Sequence, residues 1–72
     1  MGVASRLHLL RNAQSWTQAD LARHVGVSRQ TINSIETGRF EPSLSLALKL
    51  AALFGVRVED IFALDQQPRP IP

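Results

Sequence analysis

The chain has 72 residues, a formal net charge of +2 and no cysteine. A chain of this length forms one domain with a modest core, and without cysteine it has no disulfide bond or thiolate metal site to stabilise it. It contains neither an apolar run of the roughly 20 residues that span a bilayer nor a basic stretch that leads into an apolar one, as in a signal peptide. These features exclude a membrane protein and a disulfide-stabilised secreted domain, and they favour a cytoplasmic location.

The charges are distributed unevenly along the chain. Residues 1–40 contain five arginines against two acidic residues, a balance of +3, whereas residues 41–72 contain three basic and four acidic side chains, a balance of −1. A basic N-terminal half favours a polyanion as the partner.

Helical signals begin near the N-terminus. Apolar spacing over residues 3–14 predicts the first helix. Thr17 is a good N-cap, Asp20 three residues later completes a capping box, and Gly26 can take the left-handed conformation that ends a helix. The second helix is therefore predicted over residues 17–24.

The same signals recur twice downstream. Ser28 caps a third helix that stops at Gly38, and Ser43 caps a fourth helix that stops at Gly55. Between them the chain passes through a loop, because a proline and the residue before it both resist helix formation.

The C-terminal part is predicted to hold a short fifth helix over residues 59–63. The proline-rich residues 66–72 are expected to form an extended tail. No stretch alternates apolar and polar residues over the length of a strand, so the predicted fold class is all-α, with five short helices. We expect one domain over residues 1–64 and a flexible tail over residues 65–72.

The segment between residues 18 and 35 carries the functional signal. Only a few residues join the second and third helices, so these helices must cross closely. Ala22 supplies the small residue at the crossing, and Gly26 supplies positive φ in the turn. Ile32 and Ile35 provide the apolar inner face of the third helix.

This pattern resembles the phage repressor/Cro-type helix-turn-helix family, also called the xenobiotic-response-element family. The resemblance is carried by WTQADLARHVGVSRQTINSIETGRFEPS and continues through PSLSLALKLA and GVRVEDIF, so that it covers roughly residues 3–63. It implies a sequence-specific regulator of transcription, a repressor rather than an enzyme, that binds double-stranded DNA. The third helix would lie in the major groove, with the second helix above it across the backbone. Arg57 departs from the pattern, because the family usually has a Ser or Thr cap there.

The outward face of the third helix follows from its spacing. If the two isoleucines face inward, the residues that face outward or lie at the edge are Arg29, Gln30, Asn33 and Ser34. In the major groove, arginine can form two hydrogen bonds with guanine, and glutamine or asparagine can form two with adenine. We therefore predict that these side chains read bases; the alternative is a merely polar, solvated face.

Phosphate contacts are expected at helix N-termini, where free backbone N–H groups point outward. The predicted phosphate ligands are Thr17, Gln18, Ser28, Thr31, Arg39 and Arg11. Gln18 and Arg39 match family positions that contact the DNA backbone, whereas Ser28 is equally well explained as a cap.

Arg11 and Glu36 resemble a family ion pair that ties the first helix to the end of the third. Such a pair would orient the third helix. The alternative is two unconnected surface charges.

The fourth helix carries two apolar stripes, whereas a surface helix of a small monomer needs one. One consists of Leu44, Ala47, Leu48, Ala51 and Phe54, and the other of Leu46, Leu50 and Leu53. The second stripe either packs under neighbouring helices or contributes to a homodimer. The predicted dimer interface is Leu46, Leu50, Leu53, Val58, Ile61 and Phe62. A dimer would place two third helices roughly 34 Å apart on a palindrome-like operator.

Other functions have less support. His8 and His24 have no second ligand at metal spacing, so neither a metal nor another cofactor is expected. A domain this small offers little room for a catalytic pocket. A protein-interaction module, such as an antitoxin-like partner, remains the alternative, because exposed leucines and the proline-rich tail would allow it.

Overall fold

The structure, a computed structural model, describes residues 2–65. Its elements in chain order are β1 (Val3–Ser5), α1 (Leu7–Ala13), α2 (Gln18–Val25), α3 (Arg29–Glu36), α4 (Leu44–Phe54), α5 (Val58–Ile61) and β2 (Phe62–Leu64). The five predicted helices are present, and the helical fold class is confirmed. The tail predicted at residues 66–72 lies outside the described residues, so the division into domain and tail stays a prediction.

The start and end of α2 follow the local sequence signals. The Thr17 hydroxyl accepts a hydrogen bond from the Asp20 N–H at 3.0 Å, and the Asp20 carboxylate accepts one from the Thr17 N–H at 2.8 Å. This reciprocal pair is the predicted capping box. Gly26 ends the helix with a φ of 76°, a conformation that a side chain would strain.

Serine hydroxyls cap α3 and α4. Ser28 Oγ accepts from the Thr31 N–H at 3.1 Å, and Ser43 Oγ accepts from the Leu46 N–H at 3.2 Å. Each bond satisfies a backbone donor that the helix itself leaves without an acceptor. Both predicted caps are confirmed.

The first helix begins later than predicted, because residues 3–5 form a strand. In the antiparallel β1–β2 pair, Val3 lies opposite Leu64, Ala4 opposite Ala63, and Ser5 opposite Phe62. The predicted helix over residues 3–14 therefore loses its first turn. These strands are 3 residues long and lie far apart in the chain, so no local alternation marks them.

The fifth helix is also shifted relative to its prediction. It spans Val58–Ile61, whereas residues 62 and 63 belong to β2. The side chain of Arg57 has no acceptor for a capping bond. Instead, the Asp60 carboxylate accepts a hydrogen bond from the Arg57 N–H at 2.9 Å. This bond explains how the helix begins without the usual Ser or Thr.

A single apolar core joins the helices. Its fully buried large side chains are Leu7, Leu21, Ile32, Ile35, Leu50 and Ile61. The helices α2 and α3 pack against each other, and Ala22 is buried in α2. The inner face of α3 is thereby fixed by packing from several elements.

Three of the six residues predicted for the dimer interface are buried in the core of a single chain, so half of that prediction is wrong. Leu46, Leu50 and Ile61 are only 8%, 0% and 1% exposed, so they pack inside one chain and are not available to a second copy. The remaining three predicted residues, Leu53, Val58 and Phe62, are half-buried against the same core. The prediction failed because α4 is apolar on most of its surface. Only the positions of the neighbouring helices decide which stripe turns inward.

Within residues 2–65, no helix combines the length and the apolar character needed to cross a membrane.

Candidate nucleic-acid interface

The two faces of α3 differ sharply in their environment. Ile32 and Ile35 are 0% and 1% exposed and belong to the core. Arg29 and Gln30 are exposed, and Asn33 and Ser34 are half-buried at the edges. The structure therefore brings the predicted base-reading residues onto one polar outer surface.

Gln18 connects α2 to this outer surface. Its Nε2 donates to Asn33 Oδ1 at 3.2 Å and to Glu36 Oε1 at 3.0 Å. Its Oε1 accepts from Arg29 Nη1 at 3.4 Å. Sequence reasoning gave Gln18 only a phosphate contact and missed this linking role, because the contact between residues 15 positions apart depends on how the helices cross.

Arg11 and Glu36 form a two-bond ion pair between α1 and the end of α3. Arg11 Nε donates to Glu36 Oε2 at 2.7 Å, and Arg11 Nη2 donates to Oε1 at 3.1 Å. Arg11 Nη1 donates to the Trp16 carbonyl at 2.8 Å. The side chains of the pair are 14% and 6% exposed. Little of this guanidinium remains for the predicted phosphate contact.

The ion pair sets the protonation of Glu36. Burial alone would raise the pKa of this carboxyl, but the hydrogen bonds from Arg11 and Gln18 and the charge of Arg11 outweigh it. The pKa of Glu36 therefore lies below its ordinary value. The hydrogen bond to Glu36 likewise raises the pKa of Arg11, so both side chains stay charged near neutral pH.

The N-terminus of α2 adjoins the outer surface of α3, because Gln18 begins that helix. The N–H of Gln18 lies in the first turn, where the helix supplies no acceptor. Thr17 is exposed and uses its hydroxyl oxygen in the capping box. Its hydroxyl proton remains available to another acceptor.

Three further predicted phosphate ligands lie at the two ends of α3, with Ser28 and Thr31 at its start and Arg39 after its end. Ser28 Oγ and Thr31 Oγ1 share a hydrogen bond of 2.9 Å. Arg39 is exposed in the loop after α3, and its N–H donates to the Ser34 carbonyl at 2.9 Å. This backbone bond fixes where the Arg39 side chain leaves the loop.

A shallow surface cavity of about 240 Å³ lies beside α3. Its lining residues are Ser28, Gln30, Thr31, Ser34 and Phe40. Phe40 was missed at the sequence level, where it lay in a loop. The aromatic residue two positions after Gly38 was the only available signal.

Trp16 and His24 have a structural role. Their rings stack at a centroid distance of 4.3 Å, and Trp16 also lies 5.8 Å from the ring of Phe54. Across residues 2–65, no three His, Cys, Asp or Glu side chains are grouped so that they could hold a metal ion.

Two packed helices joined by a short turn, with a buried inner face and a polar outer face, are the pattern of a helix-turn-helix DNA-binding domain. A family model described as helix-turn-helix matches residues 7–61. The chain belongs to this family, which is of the Cro/C1 type, and the resemblance predicted from its sequence is confirmed.

The relatives are regulators of transcription. The chain is 53% identical over 58 residues to an HTH-type transcriptional regulator of Methanocaldococcus jannaschii, covering 81% of this chain and 88% of that protein. It is 34% identical over 61 residues to the immunity repressor protein of Bacillus phage phi105, covering 85% of this chain and 42% of that protein. The crystal structure of a restriction-modification controller protein from Aeromonas hydrophila is similar, with a TM-score of 0.69 and 33% identity over 76% of this chain and 80% of that one. The family consists of transcriptional regulators, not enzymes, and the chain is a DNA-binding regulator of transcription.

Proposed function

We propose that the protein represses transcription by placing α3 in the major groove of a specific operator. The observation that carries this proposal is the outer face of α3, which is polar and accessible while the inner face is locked in the core. The helix has 8 residues, or about 12 Å at the usual rise per residue. An α-helix with its side chains is about 10–12 Å across, so α3 fits the width of the major groove, which is about 12 Å.

Arg29, Gln30, Asn33 and Ser34 are the base-reading residues in this proposal. The bond from Arg29 to Gln18 is long, at 3.4 Å, so a guanine edge can replace it at little cost. Gln30 is exposed and can form both hydrogen bonds that adenine offers in the groove. Asn33 is held by Gln18 at one oxygen and keeps its amide donors for a base.

The DNA backbone is bound on either side of these residues. Thr17 and the N–H of Gln18 contact one phosphate at the positive end of α2. Ser28, Thr31 and the exposed Arg39 contact the backbone on the other side of α3. Arg11 acts indirectly, because it orients α3 through Glu36.

The active species in this proposal is a homodimer on a palindrome-like operator. A helix of 8 residues covers about four base pairs, which is too few for a selective site. A second copy doubles the sequence that is read. Leu53, Val58 and Phe62 remain the proposed interface, because the other residues predicted there lie in the core. In light scattering, the protein on its own should give about 16 kDa, twice the 8.0 kDa of one chain; a mass of one chain would contradict the dimer.

Base reading is tested with an operator selected from random duplex DNA. Gln30→Ala should weaken binding in fluorescence anisotropy by about 1–3 kcal/mol and relax the preference at one base position. The same substitution should change the free energy of unfolding by less than about 0.5 kcal/mol, because Gln30 is exposed. Gln14→Ala, the same chemical change outside α3, is the matched control and should leave every base preference intact. Unchanged base preferences for Gln30→Ala would contradict the assignment.

The dependence of affinity on salt concentration distinguishes DNA binding from a protein-interaction module. Affinity for the operator should fall steeply and log-linearly as salt rises, because phosphate contacts release counterions. An apolar protein interface would not respond in this way.

Repression itself is tested by run-off transcription from a promoter that overlaps the operator. Added protein should reduce the transcript, and an unchanged or increased yield would contradict repression.

A further inference from the structure

Phe40 is a large apolar residue on the polar side of the molecule. Its side chain is 50% exposed, and it is not among the apolar residues that pack against the core. A half-exposed ring outside the core stabilises the fold less than a buried ring does, so core packing does not account for its place beside α3. The ring instead forms one wall of the cavity beside α3.

The backbone around Phe40 is held against α3. Gly38 turns the chain with a φ of 76°, and its N–H donates to the Ile35 carbonyl at 3.1 Å. The N–H groups of Arg39 and Phe40 both donate to the Ser34 carbonyl, at 2.9 and 3.2 Å. Phe40 is therefore placed beside Ser34 before any ligand arrives.

The cavity combines two kinds of surface. The Phe40 ring supplies an apolar wall, and the remaining lining residues supply three hydroxyls and one amide. Gln30 and Ser34, which line it from α3, are both proposed to read bases. Since hydroxyls and amides both donate and accept, a group that matches this cavity carries a small apolar part next to a hydrogen-bonding atom.

Thymine has this combination in the major groove. Its 5-methyl is the apolar group that the groove presents, and its O4 acceptor lies beside that methyl. We infer that Phe40 is a specificity-determining residue that receives a thymine methyl, while Gln30 or Ser34 donates to O4. This inference rests on the proposed function, because it assumes that α3 occupies the major groove.

Uracil provides the test, because it differs from thymine only by the missing methyl. Each thymine of the selected operator is replaced in turn by deoxyuridine, and binding is measured by fluorescence anisotropy. For the wild type, one replacement in each half-site should weaken binding about fourfold, the effect of one buried methyl. Phe40→Ala should bind the thymine operator more weakly and should lose this sensitivity, with less than about a 1.5-fold difference between thymine and uracil.

Two variants control for other effects. Leu44→Ala removes a 74% exposed apolar side chain that does not line the cavity, so it should retain the full response to uracil. Phe40→Leu keeps an apolar wall and should retain part of the response. Circular dichroism in urea should show that Phe40→Ala unfolds at the same midpoint as the wild type.

The inference can fail while the proposed function stands. If Phe40→Ala keeps the wild-type response to uracil, or if no thymine responds in the wild type, Phe40 does not receive a thymine methyl. Equal weakening of all sequences by Phe40→Ala would indicate a contact to the sugar and would also overturn the inference. Failure of the proposed function looks different, because no operator would then be selected and Gln30→Ala would not change a base preference.

Discussion

The inner and outer faces of α3 belong to the same 8 residues but are governed by different interactions. Ile32 and Ile35 face inward and have almost no contact with solvent. The outer residues are polar, and a ligand can replace the bonds that they make. Stability and DNA recognition are thus separated onto opposite sides of one helix. Substitutions on the two faces should consequently differ in which property they change.

The largest effect should come from the inner face. Ile32→Ala leaves a void at a residue that is 0% exposed. The free energy of unfolding should fall by about 2–5 kcal/mol, measured by urea unfolding with circular dichroism. Operator binding should decrease only as far as the folded population does. A fall of less than about 1 kcal/mol in the free energy of unfolding would contradict the division between the faces.

The Arg11–Glu36 pair ties α1 to the end of α3 and should give an intermediate effect that depends on pH. Glu36→Gln removes the charge that accepts two bonds from a guanidinium with 14% exposure. The free energy of unfolding at pH 7 should fall by about 2 kcal/mol. Glu59→Gln, the same change at an exposed carboxyl of α5, is the matched control and should cost less than about 0.5 kcal/mol.

The sign of the pH dependence follows from the lowered pKa of Glu36. Its ordinary value is 4.5, and the folded protein holds it below that. The stabilisation is therefore complete above pH 4.5 and is lost as the pH falls through the folded pKa. Urea unfolding between pH 7 and pH 3 should show the wild type and Glu36→Gln converging at the acid end. If the difference in the free energy of unfolding between the two proteins stayed constant over this pH range, the ion pair would not be its cause.

The smallest effect should come from the solvent side of α2. Arg23 pairs with Asp20, but its side chain is 73% exposed. Exposed ion pairs contribute little, so Arg23→Ala should lower the free energy of unfolding by less than about 0.5 kcal/mol. Thermal unfolding at low and high salt measures this change. A fall of more than about 1 kcal/mol in the free energy of unfolding would show that surface charges stabilise this domain more than the comparison between the two faces of α3 implies.

The parts of the fold that depend on neighbouring residues could be predicted from the sequence. The Thr17–Asp20 box, the caps at Ser28 and Ser43 and the turn at Gly26 each need only a few consecutive residues. Once these fix the helices, the period of 3.6 residues places the isoleucines and the polar residues of α3 on opposite faces. The outer surface of the candidate site therefore followed from spacing alone.

The features that sequence reasoning missed depend on contacts between distant residues. The direction in which α4 faces depends on the helices around it, which is why Leu46 and Leu50 were assigned to a dimer. The contact of Gln18 with Asn33 and Glu36 depends on how α2 crosses α3. The position of Phe40 depends on how the chain turns back after Gly38. Periodicity along a single element contains none of this information.

The β1–β2 pair has a consequence for the order of folding. The Asp65 N–H donates to the Gly2 carbonyl at 2.9 Å, so this contact closes nearly the whole described chain into one loop. Closing such a loop costs less entropy once the helices have shortened the path between its ends. We therefore expect the sheet to form last during folding and to open first during unfolding. Its amide protons should exchange with solvent ahead of those in α2 and α3, which makes the sheet a reporter of the completed fold.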